Sequence, residues 1–133
     1  MKKQPIHRDT AWDRKMHYSQ AVRVGDTIYV SGQVALDDEG KVVGPGDIVA
    51  QTRQAVRNIE SILASQGATL RDVVKITVFI ANRTPGFVMA YDNTLGEFFP
   101  EDCPASTLVE VKSLVLRELL VEIESVAVIG SGV

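Results

Sequence analysis

The chain has 133 residues, 45% of them hydrophobic and 23% charged, which suits one domain with a buried core and argues against general disorder. Its net charge of −3 disfavours an extended grip on nucleic-acid backbones. The lone cysteine, Cys103, excludes an internal disulfide framework and a multi-cysteine metal site. No apolar run approaches the roughly 18–20 residues of a spanning helix, and the polar start Met1–Asp9 lacks the apolar core of a secretory signal. A cytoplasmic protein without membrane contact is expected.

Residues 1–16 are polar and aperiodic and are expected to form a loose arm, with Trp12 and Met16 able to pin it to a domain spanning 17–133. Two strand-like runs follow, about 17–24 and 27–35, joined by a Gly25-Asp26 hairpin turn. Turn residues fill 37–40 and 44–47, and Asp47 is placed to cap a helix. That helix carries Ile48, Thr52, Ala55, Val56, Ile59, Ile62 and Leu63 at helical spacing and ends near Gly67. Asp72 to Ala81 reads as a strand. Thr84-Pro85 predicts the start of a second helix, which bears Phe87, Val88, Tyr91, Leu95, Phe98 and Phe99 and stops at Pro100. Two further strands are predicted at about 105–111 and 119–129.

The order is ββαβαββ, an α+β domain of two helices and about five strands, with both helices on one face of one mixed sheet. Along the strands an apolar set alternates with a mixed one: Ile28, Val30 and Val34 against Tyr29, Ser31 and Gln33, and Val121, Ile123 and Ala127 against Glu122, Glu124 and Val126. A face that mixes polar groups with Tyr, Leu and Val is too polar for a dry core and too apolar to be left wholly in water. Burial against further copies of the chain resolves the conflict, so a homo-oligomer is expected.

No phosphate loop, dinucleotide fingerprint or metal-ligand spacing is present. His7 and His17 read as surface or loop residues, and Cys103 as a small buried or half-buried filler. Glu122 and Glu124 project from the same side of one strand, about 7 Å apart. They are either a hydrated strand face or a pair whose mutual repulsion raises one pKa into a useful range. Ser31-Gly32 offers a hydroxyl and an approachable N–H, or is a strand end entering a turn. Tyr18 is an aromatic lid or a packed edge residue.

Taken in order, Tyr18-Ser19-Gln20-Ala21-Val22, Val30-Ser31-Gly32-Gln33, the helical run Gln51–Ile59, Asp72–Phe79, Pro104-Ala105-Ser106-Thr107 with Val109-Glu110-Val111, and Val121-Glu122-Ile123-Glu124 resemble the YjgF/Rid (reactive intermediate deaminase) family over about residues 17–129. The resemblance implies a chorismate-mutase-like fold assembled as a homotrimer, helices outside and sheets inside in a barrel-like core, with small-molecule clefts between subunits. It also implies hydrolysis of reactive imines or enamines to a keto compound and ammonia, with no metal and no cofactor. By the same resemblance Glu122 handles the attacking water as general acid/base, and Tyr18, Ser31 and Gly32 line the cleft. Asp92 falls near a helical asparagine of the family, with Asn93 one step away. Ser106, Thr107 and Leu108 complete the substrate-binding set. Ser106 stands where the deaminase branch has a carboxylate-binding arginine, and Leu108 where it often has a cysteine.

Losing charge-assisted hydrogen bonds worth about 1.5–3 kcal/mol weakens anion binding roughly tenfold to a hundredfold unless another cation compensates. Arg23, Lys112 and Arg117 are near the relevant strands in sequence, and the stretch from Val111 to Val121 is about one residue longer than in the deaminase branch. The expected function is therefore a cofactor-free deaminase on an imine, enamine or similar metabolite, outside the standard 2-aminoacrylate-type activity. The alternative is a small-molecule-binding or chaperone-like trimer without catalysis. Endoribonuclease activity or translation inhibition, a third reading, is disfavoured by the acidic charge and the missing aromatic–basic stripe.

Overall fold

In the computed structural model, which describes residues 1–13 and 15–133, the first strand lies inside the segment expected to be a loose arm. Strand β1 (Gln4–Ile6) pairs antiparallel with β2 (Ala21–Val24), Ile6 standing opposite Ala21. Ile6 is buried, so one apolar residue in a polar run is enough to dock the segment. The sheet consequently has six strands rather than five. Strand β2 also starts at Ala21 rather than near residue 17. It turns through Gly25, at φ +61, into β3 (Thr27–Val34). Glycine suits the first position of this two-residue turn because it has no Cβ to clash at positive φ.

Helix α1 (Ile48–Ala64) starts where expected, with the Asp47 side chain accepting from the Ala50 N–H at 3.1 Å. Its buried face holds the predicted Thr52, Ala55, Val56, Ile59, Ile62 and Leu63, and also the polar Gln51 and Asn58. Strand β4 (Val73–Ile80) follows a single 3-10 turn at Leu70–Asp72. Helix α2 (Phe87–Leu95) begins later than Thr84-Pro85 predicts. The Phe87 N–H donates to the Thr84 carbonyl at 3.0 Å around Gly86, at φ +81, and that backbone turn replaces a side-chain cap. The helix also ends before Pro100, at Leu95, and tight turns carry Phe98 and Phe99 back to the core.

Strand β5 (Ala105–Glu110) runs parallel to β4, and β6 (Val121–Val128) runs antiparallel between β3 and β4. The strand order is β1-β2-β3-β6-β4-β5. Both α1 and α2 are crossovers between strands of like direction, α1 from β3 to β4 on either side of β6 and α2 between the parallel neighbours β4 and β5. The helix-covered face buries Ile28, Val30, Ile76, Val78, Ile80, Val121 and Ile123. The opposite face has no cover: Tyr29 and Val74 are exposed, and Phe79 and Val126 are partly so. All six residues of β5 are exposed on the sheet edge. No described helix is long and apolar enough to cross a membrane.

Candidate functional site

The β3–β6 ladder slips by one residue, from Val30↔Ser125 to Gln33↔Ile123. Ser31 and Gly32 therefore share the space opposite Glu124, a bulge that bends the strand and redirects the side chains next to it. Beyond the bulge, Val34 pairs with Glu122 on the uncovered face. The bulge, β6 and residues 8–12 and 16–18 enclose a cavity of about 330 Å³, lined by Tyr18, Ser31, Gly32 and Glu122 among others. Four residues proposed from sequence thus come together.

Gly32 is needed for a steric reason. A Cβ at this position would overlap the Glu122 carboxyl group, with the carboxyl carbon 2.8 Å away. The missing side chain is the space the carboxylate occupies. Burial pushes the Glu122 pKa up, and the neighbouring Glu124 charge adds to the shift. Burial likewise raises the Tyr18 phenol, with Asp13 contributing. A half-buried carboxyl shifted towards neutrality can both accept and return a proton.

A polar network holds the wall. The Ser31 hydroxyl donates to the Ser19 carbonyl at 2.7 Å, and the Ser31 N–H donates to Gln20 O at 2.8 Å. Gln33 donates to the Gln20 side chain at 2.9 Å, and Gln20 donates in turn to the Asp13 carboxylate. Both glutamines are buried, 5% exposed, so the network ties the bulge to Asp13, Ser19 and Gln20 at a fixed geometry. Tyr18 lies before β2 rather than opening it; it is placed by Ser19 and Gln20, whose carbonyls are engaged by Ser31.

The remaining proposed residues lie elsewhere. Asp92 is exposed on α2. Ser106, Thr107 and Leu108 are exposed on β5, paired with Ile76, Thr77 and Val78. Paired residues point to the same side of a sheet, so Ser106 and Leu108 fall on the helix side, with Ile76 and Val78. Glu122, paired with Phe79, falls on the other side. Thr107, paired with Thr77, falls on the Glu122 side, but none of Asp92, Ser106, Thr107 and Leu108 lines the Glu122 cavity of the same chain. Cys103 is exposed rather than a buried or half-buried filler, its thiol 3.4 Å from the Phe99 carbonyl.

Sequence reasoning missed Arg8, Thr10 and Asn58 as cavity residues, and gave Gln20 and Gln33 no role although both lie in its motifs. The buried Ile6 was the available signal for the first two. Trp12 and Met16, expected to pin the arm, line the same cavity, as does Val115 from the loop between β5 and β6. Of the cations considered, Arg23 is turned away, bonded to Gly25 O at 2.8 Å, and neither Lys112 nor Arg117 lines the cavity.

Residues 9–129 match the family profile described as Endoribonuclease L-PSP. A 2-iminobutanoate/2-iminopropanoate deaminase of Mus musculus is 40% identical over 110-odd residues, namely 114, covering 85% of this chain and 82% of the relative. A 3-aminoacrylate deaminase RutC of Acinetobacter baylyi is 38% identical over 110 residues, covering 83% and 85%. The crystal structure of the YjgF gene product of E. coli superposes with a TM-score of 0.82 at 32% identity, covering 94% of this chain and 98% of that one.

Proposed function

The chain belongs to the Endoribonuclease L-PSP family, the YjgF/Rid proteins, and on that premise we propose that it is a cofactor-free hydrolytic deaminase of a small imine or enamine, working in clefts between the subunits of a homotrimer. One observation carries the reading: Tyr18, Ser31, Gly32 and a proton-shifted Glu122 converge on one cavity. Relatives named as deaminases of 2-imino acids and of 3-aminoacrylate point to the same chemistry. Water adds across the C=N bond, the new C–O bond forming as the π bond breaks, and the resulting carbinolamine then loses its C–N bond as the C=O bond forms, so that both water protons end on nitrogen and ammonia leaves. Glu122 accepts the water proton and returns it to the departing nitrogen, while Ser31 and Gly32 hold the polar end of the substrate and Tyr18 covers it.

The inter-subunit cleft is supported by the division of the proposed site across two faces. A second copy that seats its β5 edge against the uncovered sheet face brings Ser106, Thr107 and Leu108 towards a neighbour's Glu122 cavity. The exposed β5 edge and the bare Tyr29–Val74 face are the surfaces such packing buries. A cytoplasmic, soluble homotrimer follows as part of the same proposal.

Imines generated in situ by an amino-acid oxidase should lose ammonia faster with the protein than in buffer. Glu122→Ala should abolish that acceleration while the assembly mass, read by sedimentation, is unchanged. Ligand-dependent melting shifts without turnover of any imine in a broad panel would favour the non-catalytic binding reading, which the serine at position 106 also favours.

A further inference from the structure

The charges around the cavity say which class of substrate fits it. Among the described residues that line it, the one cation is Arg8. Its backbone is fixed on both sides: the Arg8 N–H donates to the Asp13 carboxylate, and Ile6, two residues earlier, is buried in the sheet. The side chain is 19% exposed, and its Nη2 meets the Asp38 carboxylate at 3.0 Å. Asp38 is 74% exposed. An ion pair that open to water is worth only about 0.2–1 kcal/mol, so the guanidinium can exchange it for a better partner. A guanidinium has five donors in a planar fork, and the pair with Asp38 engages one nitrogen. Asp38 lies outside the cavity lining, in the neighbouring pocket that Arg8 also borders; Asp37, which lines both, is occupied, its Oδ1 accepting from the Glu39 and Lys41 N–H groups, each at 2.9 Å.

We propose that Arg8 is the anion clamp of this site and takes the place of the cation missing at Ser106, so that the substrate is an imine or enamine bearing a carboxylate, its anion towards Arg8 and its C–N bond towards Glu122. The proposal deepens the deaminase reading and rests on it for the chemistry, but not for the binding. It places the recognition of the anion on the N-terminal segment, on the same chain as Glu122 rather than on the β5 edge. A ligand carboxylate leaves water as it enters the cavity, where a bidentate pair is stronger than the exposed contact to Asp38.

Two substrate sets separate anion recognition from turnover: 2-imino acids made by an amino-acid oxidase, and neutral imines made from primary amines by an amine oxidase. The wild-type protein should prefer the carboxylate-bearing set. Arg8→Ala should lower the ratio of kcat/KM for anionic over neutral imines by roughly ten- to a hundredfold, mainly through KM, and Arg8→Lys should recover part of it. An unchanged ratio in a variant with the wild-type melting temperature overturns the proposal. Calorimetric binding of 2-oxobutanoate gives the second arm. If wild type turns over no imine, the deaminase reading fails alone; weaker 2-oxobutanoate binding in Arg8→Ala, restored in part by Arg8→Lys, then still supports the clamp. Equal binding by wild type and Arg8→Ala, or no binding by wild type, overturns it.

Discussion

Adding one methyl group at Gly32 tests whether the position of Glu122, and not merely its presence, matters. The new Cβ of Gly32→Ala would stand 2.8 Å from the Glu122 carboxyl carbon, whereas ordinary contact begins at 3.4 Å. The carboxyl carbon must therefore retreat by at least about 0.6 Å, and its nearer oxygen by more. Gly32 is not among the glycines at positive φ, so the alanine backbone itself is unstrained. Because Glu122 is only half-buried and can swing, the stability cost should stay near the low end of about 1–3 kcal/mol for overpacking. A displacement approaching 1 Å at a reacting group can cost about a hundredfold in rate. Gly32→Ala should accordingly lower kcat for ammonia release by ten- to a hundredfold, with a melting temperature close to wild type. Combining it with Glu122→Ala should add nothing, since the two changes act through one carboxylate. Wild-type kcat in a folded Gly32→Ala protein, or full additivity in the double variant, would refute the reasoning.

Two more outcomes follow from the structure. Glu122 has its folded-state pKa raised by burial and by Glu124, so between the unfolded and folded values the native state binds more protons and stability falls as pH rises. Glu122→Gln should therefore melt above wild type at pH 8, with the advantage vanishing near and below the unfolded value of about 4.3; a gain independent of pH would contradict this assignment. The side chain of Gln51, fully buried, donates to Gly44 O at 3.1 Å and Glu118 O at 2.8 Å and accepts from the Leu120 N–H at 2.7 Å. The Gly44 carbonyl still accepts from the Asp47 N–H at 2.9 Å, so Gln51→Leu strands the Glu118 carbonyl and the Leu120 N–H at about 1–3 kcal/mol each; chemical denaturation should show a loss of at least ~2 kcal/mol, and a loss below ~1 kcal/mol would show that water or relaxation replaces the bonds.

Much of this was legible in one dimension because its physical cause is local. The stripe of α1, the Asp47 cap, the strand composition of β4 and the alternation of β6 each depend on residues a few positions apart, and they appear as read. The late start of α2 was not legible, because a backbone turn through Gly86 competes with the Thr84 cap at nearly the same place. Nor was β1: a strand of three residues has almost no periodicity of its own, and only its pairing with β2 and the burial of Ile6 make it one.

The amino-acid sequence on its own determined the fold class, the two amphipathic helices, the family resemblance and the candidate set Tyr18, Ser31, Gly32 and Glu122, since motifs and period are properties of order along the chain. Tertiary structure decided how those residues are divided. A bulge of one residue at Ser31-Gly32 sets which side chains face the cavity, and strand register puts Ser106 and Leu108 on the opposite side of the sheet from Glu122. It also put Arg8 in the lining of the same cavity as Glu122, more than a hundred positions away in the chain. Register and long-range contact depend on how separate segments pair and pack, and no local pattern encodes them.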